Sequence, residues 1–302
     1  MKVLVLYTLP PVTVAPGRSV DEFDMSEAAR GIAEVLPEAM VAGVHGEVRE
    51  VLALLDTYQP DVVFNACEAP LGRPDREAHV AALLEWLGVR FTGCGSETLA
   101  LCRRKDRVNA LLAAGGVPVP RTGMFPCIVK PADEDGSAGI DEHSICANAE
   151  AVARARARLK GPVVIQEFLP GREFVVSLWG KEEPLDVSIG ETQFAGSTRL
   201  LTYAAKWDTD SADYANTPLV YTPQPDPLLR EAVIAAARGA WRVVGARGYL
   251  RIDIRLDAAG VPRVLDVNPN SELSPDRGIY RAVIEAGWNW ERFVRQQLEW
   301  VC

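Results

Sequence analysis

The sequence predicts a mixed fold, α/β in its N-terminal part and α+β beyond it. Apolar strand-like runs alternate with helix-like patterns from Val3 to Phe91, which implies a parallel sheet with crossover helices. From Arg251 to Asn268 two alternating polar/apolar segments flank the turn-forming Asp257-Ala258-Ala259-Gly260, which reads as a β-hairpin. A chain of 302 residues, 48% hydrophobic and 24% charged, supplies apolar surface for two or three packed units.

Taken in order, 3–7 is a buried strand, and 8–18, with Pro10, Pro11, Pro16 and Gly17, a loop. A helix over about 24–36 is stopped by Pro37, and 47–58 and 76–87 are further helices. Strands fall at 62–64 and 89–91. Parallel sheets bind ligands beyond the C-terminal ends of their strands, and 65–72 lies at such an end. A helix over 96–114, closed by Gly115 and Gly116, carries Lys105 in its middle; 117–120 is an extended connector.

Cys127 to Pro131 is a buried strand ending in Lys130, followed by an acidic glycine-containing loop over 133–139. Successive N–H groups in such a loop can form an anion nest that the lysine also reaches, although taken alone the segment fits an ordinary turn better. The G-x-x-x-x-G-K-[ST] spacing is absent. A strand over 163–169 carries Gln166 and Glu167 and runs through 170–172 into a second strand over 173–179. It fits either an adenosine contact or a hairpin with solvated acids. The poorly patterned 190–222 reads as a lid, since loops of that length inside a compact domain are usually functional or disordered. Helices are expected at 227–244, 278–286 and 290–300.

In the hairpin, side chains two apart share a face, so Arg251, Asp253 and Arg255 point one way and Ile252, Ile254 and Leu256 into a core. On the return strand Asp266 and Asn268 share a face, with Leu265 and Val267 on the other. A turn centred near Ala259 and Gly260 sets Asp253 opposite Asp266, with Cβ atoms about 5 Å apart. Two acids so close are held by a cation or share a proton. With the Asn268 amide they form an oxygen set of the kind Mg²⁺ takes when phosphates complete its shell, while the same residues also fit an exposed charged face.

Composition narrows the function classes. The net charge is −9 and the basic series Arg154, Arg156, Arg158, Lys160 is short, so no footprint for nucleic acid is present. The six cysteines lack any C-x-x-C pair and the three histidines are dispersed, so zinc and disulfide-framework readings fail on spacing, and reduced thiols are expected. The first seven residues are apolar for too short a run to be a signal peptide, and no run reaches membrane-spanning length, so a cytoplasmic location is expected.

Several segments, in order, carry a resemblance. They are 91–95 (Phe-Thr-Gly-Cys-Gly), 105–107 with 116–120, 128–131 with 136–139, 166–173 (Gln-Glu-Phe-Leu-Pro-Gly-Arg-Glu), 205–207, 251–253 and 266–270. Together the chain resembles the ATP-grasp superfamily and, within it, the D-alanine-D-alanine ligases. The resemblance implies a Rossmann-like domain over 1–94, a small central lobe over 95–169 and a C-terminal lobe over 170–302, with ATP clamped between the last two. By position it assigns Lys105 and Lys130 to the α- and β-phosphates, and the 133–140 loop with Gly136, Ser137 and Gly139 to closure over the γ-phosphate. Gln166, Glu167 and Leu169 go to the adenine, Glu173 to the ribose, and Lys206 to the γ-phosphate. Asp253, Asp266 and Asn268 would carry two Mg²⁺ ions, for which Mn²⁺ substitutes; the family more often has Glu where Asp266 stands. Arg251, Lys206, Lys130 and Ser137 are the implied catalytic groups, and a homodimer acting on an amino acid or peptide is expected.

The implied reaction phosphorylates a carboxylate and lets an amine attack the acyl phosphate, with Arg251 steadying the oxyanion. Departures gather in the acceptor region. The family's Glu after the first strand is absent from 7–11, its loop Ser is Gly136 and its lid Tyr is Trp207. Its Pro-Gly-Met segment is replaced by 270–277, which holds Asn270, Glu272 and Arg277, and Asn65, Cys67 and Glu68 stand where its histidine falls. Glu68, Trp207, Asn270, Glu272 and Arg277 are therefore the candidate substrate contacts, for a substrate other than D-alanine. A true D-alanine-D-alanine ligase and a nucleotide-binding scaffold without turnover are the alternatives.

Overall fold

The computed structural model describes residues 1–11, 20–134, 136–196, 198–221 and 225–302. Most of the expected 8–18 loop lies outside the described residues, as do Asp135, Ser197 and 222–224. Three sheets organise the rest. The N-terminal sheet contains β1 (Val3–Thr8), β2 (Met40–Val44) and β3 (Val62–Ala66) in the order β2-β1-β3, all parallel. Alternation along β1 sends Val3 and Val5 into one core and Leu4 and Leu6 into another. That is why the strand reads as a continuous apolar run: both faces are covered. The helices α1 (Ser26–Ala33), α2 (Val48–Tyr58) and α3 (Glu77–Trp86) supply much of that cover.

Two expectations change here. Strand β2 was not anticipated, because Ala42 and Gly43 dilute its β-branched pattern. The strand expected at 89–91 reduces to a single parallel bridge from Phe91 to Val63.

The helix expected over 96–114 breaks into α4 (Ser96–Cys102) and α5 (Lys105–Ala114). Arg104 is extended, and the Lys105 N–H donates to the Ala132 carbonyl at 2.8 Å instead of continuing the helix. Lys105 therefore opens α5 beside the central sheet rather than sitting mid-helix. That sheet has the order β5-β4-β6, from β4 (Cys127–Pro131), β5 (Ile145–Cys146) and β6 (Val163–Glu167), all antiparallel. Cys127 and Val129 pack on α6 (Ala149–Arg158), so Ile128 and Lys130 face the opposite way, toward the cleft described below.

The third sheet runs β11-β10-β7-β8-β9 and is antiparallel throughout. Its strands are β7 (Glu173–Gly180), β8 (Pro184–Thr192), β9 (Leu219–Val220), β10 (Gly248–Leu256) and β11 (Pro262–Asn268). Because β6 and β7 join different sheets, they form no hairpin, and their acids are not solvated: Glu167 is 6% and Glu173 7% exposed. In its described residues, the segment over 190–222 expected as a lid is also more ordered than its pattern suggests. It includes the end of β8, two short helices α7 (Tyr203–Trp207) and α8 (Ala212–Ala215), and β9. The closing helices α9 (Pro227–Val243), α10 (Gly278–Glu285) and α11 (Trp290–Glu299) match the expected spans within a residue or so.

Hairpin β10–β11 pairs Asp253 with Asp266, as expected, though by another route. The strands pair Leu256 with Pro262 and Ile254 with Val264, so the turn is centred on Ala259, and Asp257 accepts the N–H groups of Ala259 and Val261 at 2.9 Å. A bulge after Val264 then restores the register at Asp266. Pro262, Val264 and Val267 are the buried residues of that strand, and Leu265, expected on the face of Val267, turns to the cleft instead.

Candidate active site

The central and C-terminal sheets meet around an open cleft lined by residues of both. Each wall follows from local structure. Strand β4 offers Lys130 at its end, α5 offers Lys105 at its first position, and the 133–140 loop offers Gly136 and Ser137, both with positive φ. The β6–β7 connection brings Glu167, Leu169 and Glu173, the lid brings Lys206, and the hairpin brings Arg251, Asp253, Asp266 and Asn268. Residues spread over some 160 positions of sequence thus converge in one cavity.

Its charges are organised. The Arg251 Nε donates to Asp253 at 3.1 Å, and the Lys105 Nζ lies 3.1 Å from Asp266 while donating to the Glu134 carbonyl at 2.8 Å. The apposed acids are thus each neutralised by a cation. Burial pushes the Lys130 ammonium down to about 8, against the pull of Asp266 and with the help of Lys105. Burial, followed by Arg251, lowers Lys206. Burial raises the Glu173 carboxyl against the opposing Arg255. Glu167 is the reverse case: burial acts to raise it, but Arg121 and Arg263 hold it below the usual range. Arg121 grips that carboxylate at 2.8 Å through Nε, and Arg263 lies 3.2 Å away. The Glu167 side chain is therefore committed to the lobe junction, and its backbone N–H is bonded there as well, to the Arg121 carbonyl at 2.8 Å.

The donor set suits a hard divalent cation: two carboxylates and an amide. The Asn268 Nδ2 is buried without a partner, so the amide can present its oxygen to the carboxylates without breaking a bond at that nitrogen. Among the described residues no three His, Cys, Asp or Glu side chains converge as a complete metal site, so phosphate oxygens and water would have to complete the shell.

Other expected contacts lie elsewhere. Gln166 shares the cleft-facing side of the sheet with Ile128, but it does not line the cleft, and its Oε1 is buried without a partner. Gly139, at φ +74°, packs against Leu159 and Pro131 at the base of the loop. The Trp207 indole N–H donates to the Gly136 carbonyl at 3.3 Å and so ties the lid to that loop. Glu68 and Asn270 line a second, much smaller cavity with Met25, Ala28, Ala66, Tyr249 and Leu273. There the Asn270 amide accepts from the Tyr249 hydroxyl at 2.8 Å and donates to the Cys67 carbonyl at 3.0 Å. Glu272 is half-buried, with its carbonyl accepting from Ile279, and Arg277 is an exposed residue at the start of α10.

Sequence reasoning missed Leu265, Leu200 and Leu201 as cleft residues. Arg255 also lines the cleft; it was placed on the Asp253 face of the strand but given no role there.

The fold and the cleft define an ATP-grasp ligase. The family model described as "D-ala D-ala ligase C-terminus" matches residues 116–299, and the chain belongs to that family. A D-alanine--D-alanine ligase of Dinoroseobacter shibae is 30% identical over 221 residues, 69% of this chain and 67% of that protein. The uncharacterized protein y4sG of Sinorhizobium fredii is 28% identical over 256 residues, 79% and 74% of the two chains. Among solved structures, D-alanine--D-alanine ligase from Bacillus anthracis complexed with ATP superposes with a TM-score of 0.72, at 18% identity over 99% of this chain and 96% of that one. VanG D-Ala:D-Ser ligase from Enterococcus faecalis gives 0.75, at 14% identity over the whole of both chains. The protein is therefore an ATP-dependent, ADP-forming carboxylate-amine ligase, of a class that uses ATP and Mg²⁺ on small-molecule substrates. This sets aside the scaffold reading. Among the described residues no helix is long and apolar enough to cross a membrane.

Proposed function

We propose that the ligase joins a carboxylate to an amine through an acyl phosphate, and that its substrate is an amino acid or peptide other than D-alanine. The observation that carries the reading is the convergence of Lys105, Lys130, Lys206 and Arg251 on Asp253 and Asp266 in one cleft. Lys105 and Lys130 would hold the α- and β-phosphates, Lys206 and the Gly136–Ser137 turn the γ-phosphate, and Asp253, Asp266 and Asn268 two Mg²⁺ ions, for which Mn²⁺ substitutes. When bound, ATP supplies the phosphoryl group and Mg²⁺ neutralises its charge. Arg251, held by Asp253, would steady the oxyanion formed when the amine attacks. The bond between Trp207 and the Gly136 carbonyl would keep water from the acyl phosphate while both loops are closed.

The same bond supports the substrate reading. A bulky indole stands at the lid position, its N–H spent on the loop backbone, where the family's linked Glu, Ser and Tyr set is not reproduced. The division at 94 and 169, a homodimer and a cytoplasmic location belong to the same reading and rest on the family resemblance. Phosphate release from Mg-ATP, measured across D- and L-amino acids, dipeptides and non-standard amino acids with mass spectrometry of every positive, tests it. Release driven only by D-alanine would instead establish the D-alanine-D-alanine ligase alternative, which the names of the relatives favour.

A further inference from the structure

Arg255 has no part in the phosphate and metal assignments, yet its guanidinium joins three parts of the cleft. Its Nη1 donates to the Glu173 carboxylate at 3.1 Å, its Nε to the Gly171 carbonyl at 3.1 Å, and its Nη2 to the Arg199 carbonyl of the lid at 2.9 Å. The rings of Phe194, from the lid, and Phe168 lie 4.7 and 5.5 Å from the guanidinium carbon. The group is 5% exposed. A buried cation is costly unless its bonds are satisfied, and an apolar side chain of similar volume would often serve stability as well. Only the planar fork of arginine satisfies three acceptors in different directions while also meeting two aromatic rings. Leu200 and Leu201, which follow Arg199 directly, line the cleft.

We infer that Arg255 is a positioning residue that couples the ribose end of the nucleotide to the lid: it aims Glu173 at the ribose hydroxyls and seats Arg199, Leu200 and Leu201 against the cleft. The inference deepens the nucleotide reading above and rests on it. One guanidinium then answers to both events. A nucleotide that engages Glu173 stiffens the anchor on which the lid rests, and a closed lid fixes the orientation of Glu173.

The test compares wild type, Arg255→Met and Arg255→Lys. Calorimetry measures binding of Mg·AMP-PNP and of its 2′,3′-dideoxy counterpart, while trypsin cleavage after Arg199 reports the lid and thermal melting reports folding. Wild type should prefer the hydroxylated analogue by about tenfold, the scale of a hydrogen bond to a carboxylate, and should show nucleotide protection at Arg199. Arg255→Met should bind both analogues equally and lose the protection. Arg255→Lys, which keeps a charge near Glu173 but not the fork, should keep the ribose preference and lose the protection. This variant carries the test if the methionine variant does not fold. General structural damage would weaken both analogues alike and leave the preference intact. A folded Arg255→Met with wild-type preference and protection, or Arg255→Lys with full protection, overturns the proposal. Absence of Mg·AMP-PNP binding by wild type would overturn the nucleotide reading itself, and the coupling with it.

Discussion

Asp253 and Asp266 stand directly opposite each other on neighbouring antiparallel strands, one paired with Arg251 and the other with Lys105. Two carboxylates at that spacing repel unless cations lie between or beside them. Asp266→Asn removes one charge at nearly constant volume. Turnover should fall by about a hundredfold or more, since a metal ligand contributes several kcal/mol of charge stabilisation. The melting temperature should stay within a few degrees of wild type. Near-normal turnover would sink the metal assignment.

Trp207 reaches Gly136 through a single N–H. Trp207→Phe keeps the ring and deletes that bond, whose net worth is about 1 kcal/mol. Phosphate release without acceptor should therefore rise about fivefold relative to amide formation. An unchanged ratio would mean that the bond does not guard the site.

Burial brings the Lys130 ammonium down to about 8, well below an ordinary lysine. Polyphosphate favours the charged form and so raises the pKa on binding. Above pH 8 the bound state takes up a proton that the free state has lost, so affinity falls as pH rises. Between pH 7 and 9 the loss from this group should be about tenfold. Calorimetry of Mg·AMP-PNP in buffers of different ionisation enthalpy should show proton uptake near pH 8.5, and affinity flat across the range would exclude this role.

Arg263 lies 2.8 Å from the buried Asp257 and 3.2 Å from Glu167, and donates to the Val119 carbonyl at 3.0 Å. Arg263→Ala strips Asp257 of its cation. A loss of about 3 kcal/mol in stability is expected, as for other broken buried pairs. Glu167 retains Arg121, so nucleotide affinity should change little. Denaturant unfolding beside nucleotide titration separates the two effects.

Much of this was legible in the sequence, because it depends on periods. Alternation placed Arg251 and Asp253 on one face, and glycine with turn chemistry placed the hairpin. What escaped depends on tertiary context. The bulge that turns Leu265 outward leaves no local mark, since Leu265-Asp266-Val267 alternates as well with it as without it. The break before Lys105 is made by a carbonyl of Ala132, nearly thirty residues away. Arg255 was visible as a charge on the strand, but only its three acceptors from Gly171, Glu173 and Arg199 distinguish it from a solvated arginine. Segment 190–222 lacked a period because α7 and α8 are too short to show one.

The most direct test of the central claim follows oxygen. With the donor carboxylate doubly labelled with ¹⁸O, attack on the γ-phosphorus and later expulsion of phosphate by the amine carry one labelled oxygen into phosphate and leave one in the amide. Mass spectrometry should find singly labelled phosphate in step with amide formation. Unlabelled phosphate accompanying full amide formation would contradict the acyl phosphate and, with it, the chemistry assigned to this cleft.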